Sequence, residues 1–364
     1  MSKRSDTADL LNDTAGNTDG SSSPTVQRRR RMIALAVILG MVGSVLLGEV
    51  IARALGERAF DVRPPDMKVH PAGGLYKVVE DGMYRHASGE RNIRFKSGFG
   101  WRMTQDEAGL RLTSTNAVDG GEELWLMGCS LTHGWSVNDH ETYPWLVQSA
   151  LPNWRVVNAG VSGYGTVHSR LLYQELMNQR GKPAVVVYAY GRFHDFRNTF
   201  VRVWQKGFVP NNRLPDLLVP KVGLDSAGKL EYAMVKPVYQ EWPLQRVSAL
   251  VHALEVRWNR FSAARSDSHA ISRELIAQWA AFCLREDIRF VVAGISSDAG
   301  NMLDWCRELK IEAVDIAVPL SGTEFTNLPH DNHPNAKAHR EYAHRLLKYL
   351  KLEELPGDGK STAQ

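Results

Sequence analysis

The chain has 364 residues, 43% of them hydrophobic and 23% charged, with a formal net charge of +4. This is a globular composition with room for one large domain or two small ones. The basic excess sits in one block, Arg28 to Arg31, so nothing argues for a nucleic-acid-binding face. Cys129, Cys283 and Cys306 follow no regular spacing and supply neither a disulfide framework nor a zinc pattern, so no metal or cofactor is expected.

The first 31 residues, rich in Ser, Thr, Asp, Asn and Gly and closed by the arginine block, read as a disordered basic tail. "MIALAVILGMVGSVLLG", from Met32 to Gly48, carries no charge over 17 residues. Continued to Ala52, it is predicted as a transmembrane helix if Glu49 reaches toward the head groups or the bilayer thins. Arginines immediately before it put the tail in the cytoplasm and everything after residue 53 outside. "ARA" at residues 52–54 has the small-x-small form of a leader cleavage site, but the leading region is long and arginine would sit inside that site. A retained anchor is therefore the expectation.

Residues 53–115 show no sustained period and are read as a linker with packed segments near "GFGWRM" and "AGLRL". The main domain is expected over 116–352, with a tail at 353–364. "ELWLMG" reads as a strand, "TYPWLVQSAL" as a helix with Thr142 as N-cap, and "WRVVNAG" as a strand. "GTVHSRLLYQELMNQRG" is an amphipathic helix stopped at Gly181, and "PAVVVYAYG" a strand buried on both faces. Prolines and turn signals over 197–246 mark an insertion. Alternation resumes with a helix near 270–286, "IRFVVAGI", a helix near 299–309, "AVDIA" and a last helix over 335–351. Such alternation predicts a three-layer α/β/α fold on a parallel sheet, with working residues at the carboxyl ends of its strands.

One such end carries "LWLMGCSLTHGW", where an apolar strand breaks at Gly128 and presents Ser130. A serine hydroxyl needs a base to take its proton, and the base needs an orienting acid. Of the 12 histidines, His339 and His344 lie five apart on a helix and cannot share a face. His133 and His140 are explained by loop polarity. "PHDNHPNAKAH" lies between the last strand and last helix and couples Asp331 to His333 across one residue. Taken alone, that stretch reads first as an ordinary polar loop that starts a helix.

Four blocks in order, however, resemble the SGNH, or GDSL-type, hydrolases and acyltransferases: "MGCSLTHG", "NAGVSGYG", "YGRFHD" and "DNHPN". The likeness runs from about 123 to 350. Before it stands "AGLRL", residues 108–112, which resembles the short element that bacterial membrane-anchored members often carry before the first block. The resemblance implies a flavodoxin-like sheet, with Ser130 as nucleophile, His333 as general base and Asp331 as its orienting carboxylate. It also implies an oxyanion hole built from the backbone N–H groups of Ser130 and Gly163 and from the residue at His194. Three positions depart from the pattern. Cys129 stands where an aspartate is usual, His194 where an asparagine is, and His330 where the acid often lies, three residues before the base. A metal reading of His330, His333 and His194 lacks an accompanying carboxylate or cysteine pattern.

The expected function is an esterase or O-acyltransferase at the bacterial inner membrane. Its domain would be periplasmic or extracellular and would act on acyl, above all acetyl, esters of envelope or exported glycans. Aromatic residues at 135, 143, 145, 164, 204 and 242 could stack on sugar rings. The rival is an inactive relative serving as a glycan-binding or assembly module, for which His194 is the best support.

Overall fold

The structure is a computed structural model describing residues 24–62, 66–116, 121–212 and 214–352. Most of the expected basic tail, and the whole of the tail after 352, lie outside the described residues. Helix α1 (Pro24–Ala54) starts earlier than expected. Arg28 to Arg31 continue it, since arginine is a good helix former and proline fits a first helical position. Thr25–Ala54 is long and apolar enough to cross a membrane. The chain divides into two compact units, residues up to Phe60 with Leu244–Ala253, and Asp61–Pro243 with Leu254 onward.

The second unit begins with five short strands over the stretch expected as linker and packed extension: β1 (Met67–His70), β2 (Tyr76–Val78), β3 (Tyr84–His86), β4 (Gly89–Phe95) and β5 (Gly100–Gln105). β1, β4 and β5 form an antiparallel sheet, and β2 pairs with β3. Along β5, Trp101, Met103 and Gln105 are buried while Arg102 is exposed. The period of two is present but too short-lived between glycines to stand out in sequence. Leu75, Ile93, Trp101 and Met103 make the core of this element.

The main sheet is built from β6 (Glu123–Gly128), β7 (Arg155–Gly160), β8 (Val185–Tyr190), β11 (Arg289–Gly294) and β12 (Glu312–Asp315), in the order β12-β11-β8-β6-β7. All four pairings are parallel, the flavodoxin-like arrangement. Between these strands run α2 (Ser130–His133), α3 (Tyr143–Ala150), α4 (Thr166–Arg180), α5 (Phe193–Asn198), α6 (Arg202–Phe208), α7 (Ala249–Ala264), α8 (Ser268–Arg285) and α9 (Gly300–Glu308), with α10 (Ala336–Leu350) last. The hairpin of β9 (Val219–Leu224) and β10 (Leu230–Val235) fills part of the expected insertion.

Two apolar layers clothe the sheet. One joins Trp125, Val186, Tyr188 and Val292 to Leu172 and Leu176 of α4, Trp279 of α8 and Leu303 of α9. The other joins Leu124, Leu126, Val187 and Val291 to Val147 of α3 and Tyr342 and Leu346 of α10. Each fully buried large side chain contributes about 1.5–3 kcal/mol relative to exposure. Continuous apolar strands therefore sit only where both faces are covered.

In the first unit, the Glu49 carboxylate caps the start of α7. It accepts from Ser248 Oγ at 2.7 Å and from the N–H groups of Ala249 and Leu250, each at 3.0 Å. Gly48 lies against Leu250, whose Cδ2 would be 2.9 Å from a Cβ at 48. Phe60 N–H donates to Gln245 O at 2.9 Å. Glu49 thus accepts from backbone donors in the first turn of α7. α7 itself fell between the segments identified in the sequence.

Candidate active site

The order of the main sheet reverses between β6 and β8, which places the loop after β6 at the crevice where parallel sheets of this kind gather functional groups. β6 ends at Gly128, beside Gly160 at the end of β7. A Cβ at 128 would stand 2.3 Å from Thr132 Oγ1, and one at 160 would stand 2.3 Å from His133 N. Only glycine at both ends lets the one-turn helix α2 fold this tightly over the strands. That turn fixes Ser130 just past the sheet. Cys129 is 1% exposed and packs in the core, whereas Ser130 is 7% exposed.

Ser130 Oγ lies 3.1 Å from His333 Nε2, although 203 residues separate them. His333 Nδ1 lies 2.6 Å from Asp331 Oδ1. A carboxylate only accepts, so Nδ1 carries the proton and Nε2 is free to accept from the serine hydroxyl. The same carboxylate oxygen accepts from the His333 main-chain N–H at 2.7 Å and from Ser136 Oγ at 3.2 Å. Burial opposes ionisation of Asp331, but these donors outweigh it and hold its pKa below the usual carboxylate value.

The loop that carries Ser136 is held by Arg111, from the "AGLRL" segment. Its guanidinium donates to Asp139 Oδ1 at 2.8 Å, Val137 O at 2.7 Å and His133 O at 3.0 Å, and also to Gly134 O. Arg111 and Asp139 are both almost wholly buried. Asn327 Nδ2 donates to Ser136 O at 3.0 Å, tying the same loop to the segment before Asp331. Neither role was readable in the sequence, since nothing local marks an arginine or asparagine whose partners on this loop lie 22 or more residues away.

Gly163 has φ +87°, and a Cβ there would lie 2.4 Å from Tyr84 Oη. Tyr84, on β3, donates to Ser162 O at 2.8 Å. The N-terminal strands therefore shape the second block. Among the described residues, no acceptor is bonded to the N–H of Ser130 or Gly163.

His194 is placed differently from Ser130, His333 and Asp331. It is 0% exposed, and its Nδ1 lies 2.9 Å from Tyr188 Oη and 3.4 Å from Gly191 N. Because a main-chain N–H only donates, Nδ1 accepts and Nε2 carries the proton, without a partner in the protein. Burial drives its pKa well below 6.5, so the ring is neutral. No hydrogen bond joins it to Ser130 or Gly163. His330 stacks on Phe99 at 5.3 Å, so His330, His333 and His194 each answer to different neighbours.

His133, read as a polar loop residue, is instead 0% exposed and stacked on His86 at 3.8 Å. Of the aromatics considered for sugar stacking, Tyr143 and Tyr164 are fully buried. Trp135 stays half-buried, its ring 6.3 Å from that of His333. Beside Asp331, a cleft of about 530 Å³ opens between the hairpin residues Phe95–Ser97 and the loop Pro329–Asn332.

No family model matches the chain, and no curated protein matches it. Among solved structures, it is similar to a lipolytic protein of the G-D-S-L family from Desulfitobacterium hafniense at 12% identity, covering 63% of this chain and 99% of that one, TM-score 0.36. It is also similar to the esterase EstA from Pseudoalteromonas sp. at 10% identity, covering 63% and 97%, TM-score 0.38. An acetyl-xylooligosaccharide esterase from Geobacillus, in a variant form, is similar at 15% identity, covering 63% and 94%, TM-score 0.35.

Proposed function

We propose that this chain is a membrane-anchored serine esterase or O-acyltransferase, working through an acyl-serine intermediate on acylated envelope or exported glycans. The observation that carries the reading is the unbroken series from Ser130 Oγ to His333 Nε2 and from His333 Nδ1 to Asp331. Ser130 Oγ attacks the ester carbonyl while its proton passes to His333 Nε2. The N–H groups of Ser130 and Gly163 receive the developing oxyanion, each such donor being worth about 3 kcal/mol. His333 then returns the proton to the departing alcohol. Water, or a sugar hydroxyl deprotonated by His333, releases the acyl group and restores the serine.

The half-buried Trp135 beside His333 supports a saccharide as the group presented to the serine, since aromatic faces stack on sugar rings. Retention of the anchor is supported by Glu49. Cleavage at residues 52–54 would remove the carboxylate that caps α7. With Arg28 to Arg31 on the cytoplasmic side, the catalytic unit would face the periplasm or the exterior.

The rival glycan-binding reading draws on His194, a buried imidazole bonded through Nδ1 to Tyr188 and Gly191 where the related pattern has a side-chain amide. The full chain in detergent, offered p-nitrophenyl acetate and a fluorophosphonate probe, separates the two. Turnover and labelling that both vanish in Ser130→Ala support the enzyme. A folded protein with neither activity nor label supports the binder.

A further inference from the structure

α7 is built inside out for a helix bathed in water. Its buried side carries Glu255 and Asn259 with the small residues Ala249, Ala253 and Ala263. Glu255 is satisfied within the protein by Tyr239 Oη at 2.8 Å and by Lys206 and Asn259. Its outward side carries Leu254, Trp258 and Phe261, which are 50%, 53% and 49% exposed. At 100° per residue, Leu250, Leu254, Trp258 and Phe261 fall within one stripe about 80° wide. Just before the helix, Leu244 and Val247 are more exposed still. An apolar patch of this continuity marks a surface that something covers.

We infer that the outward face of α7 seats in the lipid–water interface of the membrane that α1 crosses, giving the chain a second membrane contact that lies along the surface. The inference rests on the anchor reading above. Three observations choose lipid as the occupant. The helix that carries the stripe starts at the membrane helix, because Leu250 in its first turn packs on Gly48 and Glu49 caps the same turn. Trp258 and Phe261 are the side chains that interfacial helices bury at head-group depth. Arg257, Arg260 and Arg265 are exposed along the helix, where long basic side chains reach lipid phosphates while their stems stay apolar. Arg265 already lies over the Phe261 ring at 3.8 Å.

The test uses the full chain in phosphatidylcholine–phosphatidylglycerol vesicles. All three native cysteines are buried, so single exposed substitutions Leu254→Cys, Phe261→Cys and, as a control on the β9–β10 turn, Ser226→Cys take a polarity-sensitive fluorophore selectively. Labels at 254 and 261 are expected to shift to the blue and lose about twofold or more of their emission to nitroxides on the acyl chains, while the label at 226 responds only to aqueous iodide. Vesicle flotation after alkaline washing reports α1 separately. Flotation with labels at 254 and 261 open to iodide overturns the interfacial helix and leaves the anchor standing. Blue-shifted labels that acyl-chain nitroxides do not reach overturn it in favour of a second copy or a protein partner. Loss of flotation overturns both readings.

Discussion

Asp331 and His333 are joined twice through one oxygen: Asp331 Oδ1 accepts from the His333 ring at 2.6 Å and from the His333 main-chain N–H at 2.7 Å. A spacing of two residues permits this, because an aspartate side chain reaches the backbone N–H two residues on. Asp331 is therefore aimed by its own chain as well as by Ser136, and His330, three residues before His333, stacks on Phe99 instead.

Asp331→Asn tests that arrangement. The amide no longer favours the proton on Nδ1, and ester turnover is expected to fall about 10⁴-fold with little change in KM. The midpoint of thermal unfolding should move far less. A turnover within tenfold of the parent would show that Asp331 does not set the tautomer.

Arg111 gives a second prediction. Arg111→Ala leaves the Asp139 carboxylate buried without its cation, a loss of about 3–5 kcal/mol. The loop bearing Ser136 loses its clamp at the same time. Arg111→Lys keeps the charge but not the fan of donors, so urea unfolding should show partial recovery of stability. Turnover should remain depressed, because the loop carbonyls lose donors.

At Gly163, alanine would adopt φ +87° and press its Cβ to 2.4 Å from Tyr84 Oη. The strain is expected to cost about 1–3 kcal/mol and to shift the N–H assigned to the oxyanion. Gly163→Ala should therefore lower kcat more than it raises KM. Adding Tyr84→Phe removes the clashing hydroxyl and should restore part of the loss. Equal activity in the single and double variants would assign the whole effect to φ.

Acid should unfold this protein early. Burial holds His86, His168 and His339 neutral, each lowered from 6.5 to about 3. The unfolded chain binds protons on these rings below pH 6.5 while the folded chain does not, so stability is full above 6.5 and falls as pH drops toward 3. At pH 5 the loss is on the order of 2 kcal/mol per ring. Unfolding midpoints in urea at pH 7.5 and pH 5 measure it. A midpoint that holds or rises at pH 5 would contradict the burial argument.

Strand–helix alternation after residue 123 was legible in the sequence because its strands are buried on both faces. Residues such as Val185 to Tyr190 then form uninterrupted apolar runs. The short strands over 67–105 were not, since each is cut short between glycines and turns and shows too few residues for a period to register. α7 escaped for the opposite reason. Its apolar stripe faces outward and its buried side holds Glu255 and Asn259, so its pattern does not describe a soluble core.

The sequence by itself determined the strand–helix alternation after residue 123 and the long apolar helix, which follow from residue type and local spacing. Its four-block resemblance named the serine, histidine and aspartate as candidates for one chemistry. Only the tertiary structure decided that Ser130 and His333 stand 3.1 Å apart. It alone showed that Ser136, on a loop held by Arg111, donates to Asp331, and that His194 bonds inward to Tyr188. Such contacts depend on packing between segments up to 203 residues apart, and no local pattern encodes which buried polar groups will meet.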